Sequence, residues 1–455
     1  MLVTQQIQTD AATLTEGNDF YNTYVKRWRF LLESYIGGEE YRQAGNLVKY
    51  QLESDGEYQA RLNATPLENH CASVISVYKS FLFRQDPIRD FNSIQNLPQL
   101  EDFLKDADHD GRSLNNFMKD VAVWSSVFGH AWVVVSKPNI GAYTRAEELE
   151  QGVRPYLSVL TPMVVLDWKW QRKSNGKYCL EYFKYLEEVN GDIRTVKEWF
   201  IDYVRTTVVD TEANEIIEES WEENQLQKIP IVCAYNNRST VRGIGVSDIT
   251  DIADAQKFIY NATSEVDQSI RLDSHPSLVK TPETEAGIGA GSLIHMPENL
   301  DPGLKPYLLE FSGASVNSIY GAIQHTIESI DKMANTGAVR ATESRTMSGV
   351  AMETEFQLLN AKLSEKADNL ELAEEQMWKF WCDYMGYTWD GEIDYPGSFN
   401  IRDTGSEIAQ LQTAKNTATD PKVLKEIDKQ ILEWMDVDDD IIENIQEQEQ
   451  ESNQD

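Results

Sequence analysis

Residues 248–271 read DITDIADAQKFIYNATSEVDQSIR, and this stretch, with the order of segments behind it, decides the architecture. Ile249, Ile252, Ala255, Ile259, Ala262, Val266 and Ile270 recur every three or four positions, which predicts one amphipathic helix. At about 1.5 Å per residue it is a rod of roughly 36 Å, which His275-Pro276 stops. Residues 273–312 then carry Gly and Pro around short apolar runs at Leu278-Val279, Leu293-Ile294 and Tyr307-Leu308-Leu309. Helical spacing resumes at Val316 and passes through Ile319, Ile323, Ile327 and Ile330 to Met333. Residues 335–348, NTGAVRATESRTMS, are small and polar with no apolar period, so a mobile loop is expected there. From Gly349 to Tyr384 a second, longer helical pattern runs into Trp378, Phe380, Trp381 and Tyr384 before Gly386.

Upstream, the chain reads as helices and then sheet. Tyr24, Trp28, Leu31, Leu32 and Tyr35 share a helical face that Gly37-Gly38 ends; Val74, Val77, Tyr78 and Phe81 form another that Asp86-Pro87 ends. A further helix is expected from Leu114 to Phe128. Between Ala131 and about Tyr235 the runs Trp132–Val135, Tyr156–Leu160 and Lys197–Ile201 are β-branched and aromatic, with hairpin turns signalled at Asn175-Gly176 and Asn190-Gly191. That region is read as a largely antiparallel sheet. Downstream, a short β-like patch precedes Arg402. Residues 403–445 are helical in pattern, with Asp420-Pro421 starting the second helix, and the Glu/Gln-rich end is expected to be disordered.

The 455 residues exceed one ordinary core, and 41% apolar residues with 11 Trp, 20 Tyr and 15 Phe are ample for a packed interior. The charge is strongly one-sided: 41 basic against 75 acidic residues, a net of −34. A protein that coats DNA neutralises phosphates and carries the opposite sign, so this chain either avoids nucleic acid or handles it without gripping it. No signal peptide or membrane-length apolar run is visible, so no membrane role is expected. Cys71, Cys179, Cys233 and Cys382 form no CxxC pair and are read as free thiols of a reducing cytosol.

Motifs for chemistry are weak. Asp106, Asp108, Asp110 and Gly111 imitate a calcium loop, but Phe117 stands where the bidentate Glu belongs, so a solvated turn is the better reading. The six histidines, His70, His109, His130, His275, His295 and His325, form no metal-ligating spacing. Gly243-Ile244-Gly245 lacks the third glycine of a dinucleotide site and reads as a turn leading into a helix, with Ser247 as its N-cap. Asp436, Asp438, Asp439 and Asp440 read as a solvated helix start. No metal site, cofactor or enzyme constellation is expected.

The order helix, Gly/Pro-rich β excursion, returning helix, small-residue loop and very long helix resembles the stem, clip, stem, tunnel loop and long wing helix of tailed-bacteriophage portal proteins. Tyr58, Arg61 and Asn69, then Val77-Tyr78 and Phe81-Leu82-Phe83, resemble a portal segment of R…N…FLF type. Lys228–Val232 followed by Ser247-Asp248 resembles the approach to the first stem helix. Met347–Ala351, with Leu363 and Ala367, resembles the helix start behind the tunnel loop.

The resemblance covers roughly residues 20–440 and implies an α+β portal fold. Its divisions are a wing at 1–247, stem helices at 248–272 and 313–334 around a clip at 273–312, a tunnel loop at 335–348, a long wing helix with closing β patch at 349–402, and a helical crown with acidic tail at 403–455. It implies a dodecameric ring at one capsid vertex, present in host cytoplasm during assembly and then in the virion. Double-stranded DNA passes through it without sequence preference, and terminase, the major capsid protein and tail adaptor proteins dock on it. Channel residues would be Asn335, Thr336, Arg340, Arg345 and Met347. Of these, Arg340 and Arg345 would touch phosphates or else pair with Glu343 or a neighbour's acids. Stem positions would be Asp251, Asp254, Ile259, Val266, Ile323 and Ile327, with Asp251, Asp254, Glu265 and Asp267 exposed; clip positions would be Leu278, Leu293, Ile294 and Leu308. Two other readings remain open: another oligomeric virion protein such as a scaffold or adaptor, and an acidic polysaccharide hydrolase.

Overall fold

A computed structural model of the chain describes residues 11–138, 147–148, 151–274, 277–282, 285–286, 294–296, 298–299, 301–309, 314–340 and 349–399, with residues 412, 413, 415, 424 and 427. Two compact units divide the chain at Ser398 and Phe399. In the second unit five of the six described residues, all but Phe399, are helical; the rest of the segment read as a crown lies outside the described residues, as does the acidic end.

The first unit opens with helices whose ends are written in the sequence: α1 (Ala11–Thr15), α2 (Asp19–Ile36), α3 (Gly38–Gln43), α4 (Asp55–Ala64) and α5 (His70–Leu82). The Asn18 side chain accepts from Tyr21 N to start α2, and Gly37, at φ 69°, ends it. Ser54 and Glu57 close a reciprocal capping box on α4, and Asn69 caps α5. After strand β1 (Ile88–Asp90) come α6 (Pro98–Lys105) and α7 (Leu114–Phe128), the latter with the bounds its apolar spacing predicts.

Strands β2 (His130–Ser136), β3 (Tyr156–Leu160), β4 (Val165–Arg172), β5 (Tyr178–Asn190), β6 (Ile193–Phe200), β7 (Tyr203–Asp210), β8 (Glu215–Glu223) and β9 (Ile231–Tyr235) form two antiparallel sheets, as the sequence predicts. One has the order β3-β2-β9, and its central strand is buried on both faces, which is why His130–Val135 does not alternate. The other is the meander β4-β5-β6-β7-β8, whose edge strand β8 is exposed along its length and carries Glu215, Glu218, Glu219, Glu222 and Glu223. Such charge keeps an open edge from pairing with other strands.

Strands β10 (Asn237–Arg238) and β11 (Gly245–Val246) then lead into α8 (Thr250–Ser274). Gly129 and Gly245 allow this passage: an added Cβ on Gly245 would lie 1.8 Å from Gly129 O. Ser247 accepts from Ile249 N and donates to Ser126 O, so it tethers the start of the helix to α7. The excursion that follows holds β12 (Ser277–Val279), β13 (Glu285–Ala286), β14 (Ile294–His295) and β15 (Tyr307–Leu309), paired β12-β15 and β13-β14. Helices α9 (Ala314–Ala334), α10 (Gly337–Arg340) and α11 (Gly349–Met385) return to the body, and β16 (Glu392–Asp394) closes it by pairing with β1.

A cluster of buried aromatic rings fills the core where α11 meets α6 and the β1-β16 ladder. Trp378 stands within 4.9–5.5 Å of Phe91, Phe103, Trp381 and Trp389 by ring centroid. Buried beside it, Glu374 accepts from Arg89 (2.5 Å), Tyr395 (2.6 Å) and Trp378 (3.2 Å), so its carboxylate is fully engaged.

Candidate channel helices and the polar seam beneath them

Helices α8 and α9 lie side by side and are joined at one end by the β module. The first half of α8 is clasped by the N-terminal helices. Ile252, Ala253, Ile259 and Tyr260 are buried, and Gln256 accepts from Cys71 N while donating to Ser34 O. Arg27 reaches Thr250 O and pairs with Asp254 (2.7 Å); Tyr50 donates to Glu265 (2.6 Å). Arg61 forms a buried pair with Glu53 (2.8 Å) and donates to Ser264 on α8. Val266 is the last buried apolar residue of the helix among those whose burial is described, and Ile270 is exposed. Between the two helices runs an open apolar groove of about 420 Å³ whose walls include Phe258, Ala262, Ile319 and Ala322. Phe258, Tyr320 and Met333 are each at least 40% exposed, so this helical pair shows several large apolar side chains to its surroundings.

Asp251, Asp254 and Glu265 are exposed, as the sequence predicts, whereas Asp267 is half-buried and pairs with Arg271 (2.9 Å). Ile259, Val266 and Ile323 are buried in the pair and Ile327 is half-buried. In the β module Leu278 sits opposite Leu308, and Ile294 opposite Ala286. Leu293 lies outside the described residues.

The segment read as a free loop begins differently. Thr336 N donates to Asp331 O (3.0 Å) and Asn335 N to Lys332 O (3.3 Å), with Asn335 at φ 56°. That is the Schellman ending of a helix, with Asn in the left-handed position. Thr336 is fully buried, and residues 337–340 form α10. Arg340 pairs with Asp331 (2.7 Å) and donates to Ser73 and to His70 Nδ1, so its cation is committed to partners within its own chain; Glu343 lies outside the described residues. Burial and then Arg340 hold His70 below its ordinary pKa, which keeps Nδ1 an acceptor. The expectation of an unanchored segment therefore fails for residues 335–340; Arg345 and Met347 lie outside the described residues. The Asn-Thr-Gly triplet was the signal for this cap.

Beneath the helical pair lies a polar seam that no motif announced. Asp248, just ahead of α8, accepts from Lys366 (2.6 Å) and Lys362 (3.1 Å), both on α11. Lys366 also donates to Asn236 and to Ser126 (2.8 Å). Lys362 donates to Tyr78 Oη (2.9 Å), which itself donates to Ala334 O (2.5 Å) at the end of α9. Burial pushes the Asp248 carboxyl up, but the two lysines more than offset this and hold it below the ordinary carboxylate value. Burial also pulls Lys366 down against the attraction of Asp248, while beside Asp248 and Tyr78 Lys362 rises despite its burial. The start of α8 and the end of α9 are thus both bonded to one turn of α11.

The calcium-like loop is closed by its own chain: Asp108 accepts from Asp110 N and Arg112, and Asp106 from Gly111 N and Arg154. Among the described residues no three His, Cys, Asp or Glu converge as metal ligands, and no helix is long and apolar enough to cross a membrane. All four cysteines are unbridged.

Comparison with curated protein sequences finds no match. Among solved structures, the chain is similar to a subunit in the neck of an empty gene transfer agent particle computed with C6 symmetry. That match has 12% identity and a TM-score of 0.45, covering 84% of this chain and 95% of that one. A subunit in the neck of the native particle computed with C12 symmetry is also similar, at 12% identity and a TM-score of 0.44, covering 87% and 98%. The sequence profile of the SPP1 Gp6-like phage portal proteins matches residues 74–455. With that profile spanning most of its length, the chain belongs to the SPP1 Gp6-like family of phage portal proteins, structural parts of the virion's head-to-tail connector rather than enzymes.

Proposed function

We propose that twelve copies of this chain form a ring at one capsid vertex, with α8 and α9 as the stem around a DNA channel and the β module as the clip. The observation that carries this reading is the helical pair itself. It exposes Phe258, Tyr320 and Met333 and an apolar groove walled by Phe258, Ala262, Ile319 and Ala322, surface that one chain leaves uncovered and that identical neighbours in a ring would bury. The two β pairs of the module are too small to be stable alone and would gain from pairing across subunits.

Charge supports the transport role. A dodecamer carries about −408 formal charges, so DNA in its channel meets a wall of its own sign and slides rather than sticks. With Arg340 held by Asp331, the channel mouth near α10 offers no strong phosphate clamp from that residue. Terminase would engage the clip during packaging, tail adaptors would take its place afterwards, and the major capsid protein would contact the wing. Residues 403–455 would form the crown toward the capsid interior.

Sizing and imaging the purified full-length chain tests the assembly: a particle of about 623 kDa, seen as a ring, is expected from subunits of 51.9 kDa. A chain that remains monomeric at micromolar concentration and shows no ring would overturn it.

A further inference from the structure

A cleft of about 670 Å³ opens between the β4-β5 hairpin, the 236–242 loop, strand β9 and the side of α11. Its composition runs against that of the chain. Lys173, Lys177, Lys228, Arg238 and Arg242 line it, and no Asp or Glu does. Twenty-one residues drawn at the chain's average composition would bring about two basic and more than three acidic side chains. Lys228 already has a carboxylate, Asp383 of α11, at 2.8 Å. The other four cations have no ion-pair partner among the described residues, and all four are exposed to solvent. Polar donors accompany them on the lining, Asn175, Gln227 and Thr240 among them.

The arginines are held for use rather than left to wave. The Arg242 guanidinium lies 4.0 Å from the Tyr178 ring centre and 5.6 Å from that of Trp170; Arg238 lies 5.3 Å from the ring of Tyr235. A guanidinium stacked on a ring keeps its N–H fork at the edge of the stack, where it can take an oxyanion in bidentate fashion with little entropy to lose.

We infer that this cleft is a binding site for an acidic peptide segment, a run of Asp or Glu side chains presented by another protein chain. Its size and its stacking separate that ligand from nucleic acid. A duplex about 20 Å across does not enter a cleft this small. A single strand would need bare aromatic faces for its bases. Here Trp170 has Trp132 stacked on it at 6.3 Å and Arg242 over it, and Tyr178 and Tyr235 each carry an arginine, so the half-buried Phe380 is the one lining ring left for a base, too few for a run of stacked nucleotides. A peptide carboxylate asks only for the cations and donors present. The strong negative charge of the whole chain does not forbid this, because at physiological salt it is screened beyond about 8 Å, while the cleft's cations act at contact.

The test uses the purified full-length protein and fluorescein-labelled hexaglutamate, read by fluorescence anisotropy across a salt series, with an eight-nucleotide oligothymidylate as competitor. Saturable binding that weakens with salt is expected, together with a loss of about tenfold or more in the K173E/K177E variant. Both substituted lysines are exposed on a hairpin, and circular dichroism and sizing of the variant check that the fold is kept. Absence of saturable binding, equal binding by the variant in its native fold, or displacement by the oligonucleotide at lower concentration than by unlabelled hexaglutamate would each overturn the assignment.

Discussion

Replacing Asp248 by Asn removes the one carboxylate of the seam and leaves Lys362 and Lys366, neighbours on α11, without their shared counter-ion. With effective dielectric near 20, contacts at 2.6 and 3.1 Å represent roughly 6 and 5 kcal/mol of attraction before desolvation and lysine–lysine repulsion are subtracted. The side chains of Asp248 and Lys366 are 1% and 5% exposed, so solvent screens little of this. Breaking a buried pair by removing one partner costs about 3–5 kcal/mol, and D248N is expected in that range. Adding Lys366→Met removes the stranded charge, so D248N/K366M should recover part of the loss, with a coupling of about 2 kcal/mol. The assay is urea unfolding of full-length protein followed by tryptophan fluorescence, at one fixed concentration because assembly adds stability of its own. The folded Asp248 carboxyl titrates below its unfolded value, so its stabilisation is complete above the unfolded value and fades as pH falls through the folded one. A single-variant cost under about 1 kcal/mol, or costs that simply add in the double variant, would refute the claim that the seam acts as one ionic unit.

Arg340→Ala should destabilise the chain by about 2–4 kcal/mol in the same assay, because Asp331 loses its partner and His70 its donor; DNA retention changing with stability intact would restore the phosphate-contact reading. Phe258→Glu in the exposed groove should shift sizing profiles toward monomer with the monomer's circular dichroism preserved, and an unaltered ring would remove the groove from the assembly interface. Burial holds His130 neutral down to about 3, so the folded state resists a proton that the unfolded chain accepts from 6.5 downward; stability is full above 6.5 and falls by several kcal/mol toward pH 3. His130→Gln should flatten that acid limb of a pH-dependent melting curve. Deletion of residues 280–306 should leave a soluble chain that no longer supports packaging, and normal packaging would rule out a docking role for the module.

Periodicity carried the elements because each obeys a local rule. The helix from Leu114 to Phe128 buries its apolar positions against the sheet, and the hairpins at Asn175-Gly176 and Asn190-Gly191 follow from residues that tolerate the left-handed turn. The order of helix, β excursion and helix was legible for the same reason. What escaped was set by distant partners. The commitment of Arg340 to Asp331, Ser73 and His70 joins residues up to 270 positions apart, and no local pattern encodes it. Lys362 and Lys366 resemble any solvated i,i+4 pair on a helix, yet 118 residues separate Lys366 from the Asp248 that gives it meaning. The cleft is of the same kind: its basic residues come from the 173–177 hairpin, Lys228 and the 238–242 loop, which read singly as ordinary surface.

These distant contacts decide how the helical pair is held. Between Val266 and Arg271 no described apolar residue of α8 is buried, so this part of the pair depends on its base for position. That base is bonded twice to α11: Asp248 ahead of α8 to Lys362 and Lys366, and Ala334 at the end of α9 through Tyr78 to the same Lys362. Directional, buried bonds at both ends restrict the pair more than sliding apolar contact would, since satisfied polar groups cannot shift without losing partners. Movement of either helix relative to α11 would strain Lys362, which serves both ends. In the proposed ring, force on α8 and α9 would therefore reach α11 through Lys362 at both bases and through Lys366 at that of α8, and Lys362→Met should loosen α8 and α9 together. Hydrogen exchange would show this as raised and matched rates at the two helix bases; a rise confined to one base would mean that the two ends are anchored independently.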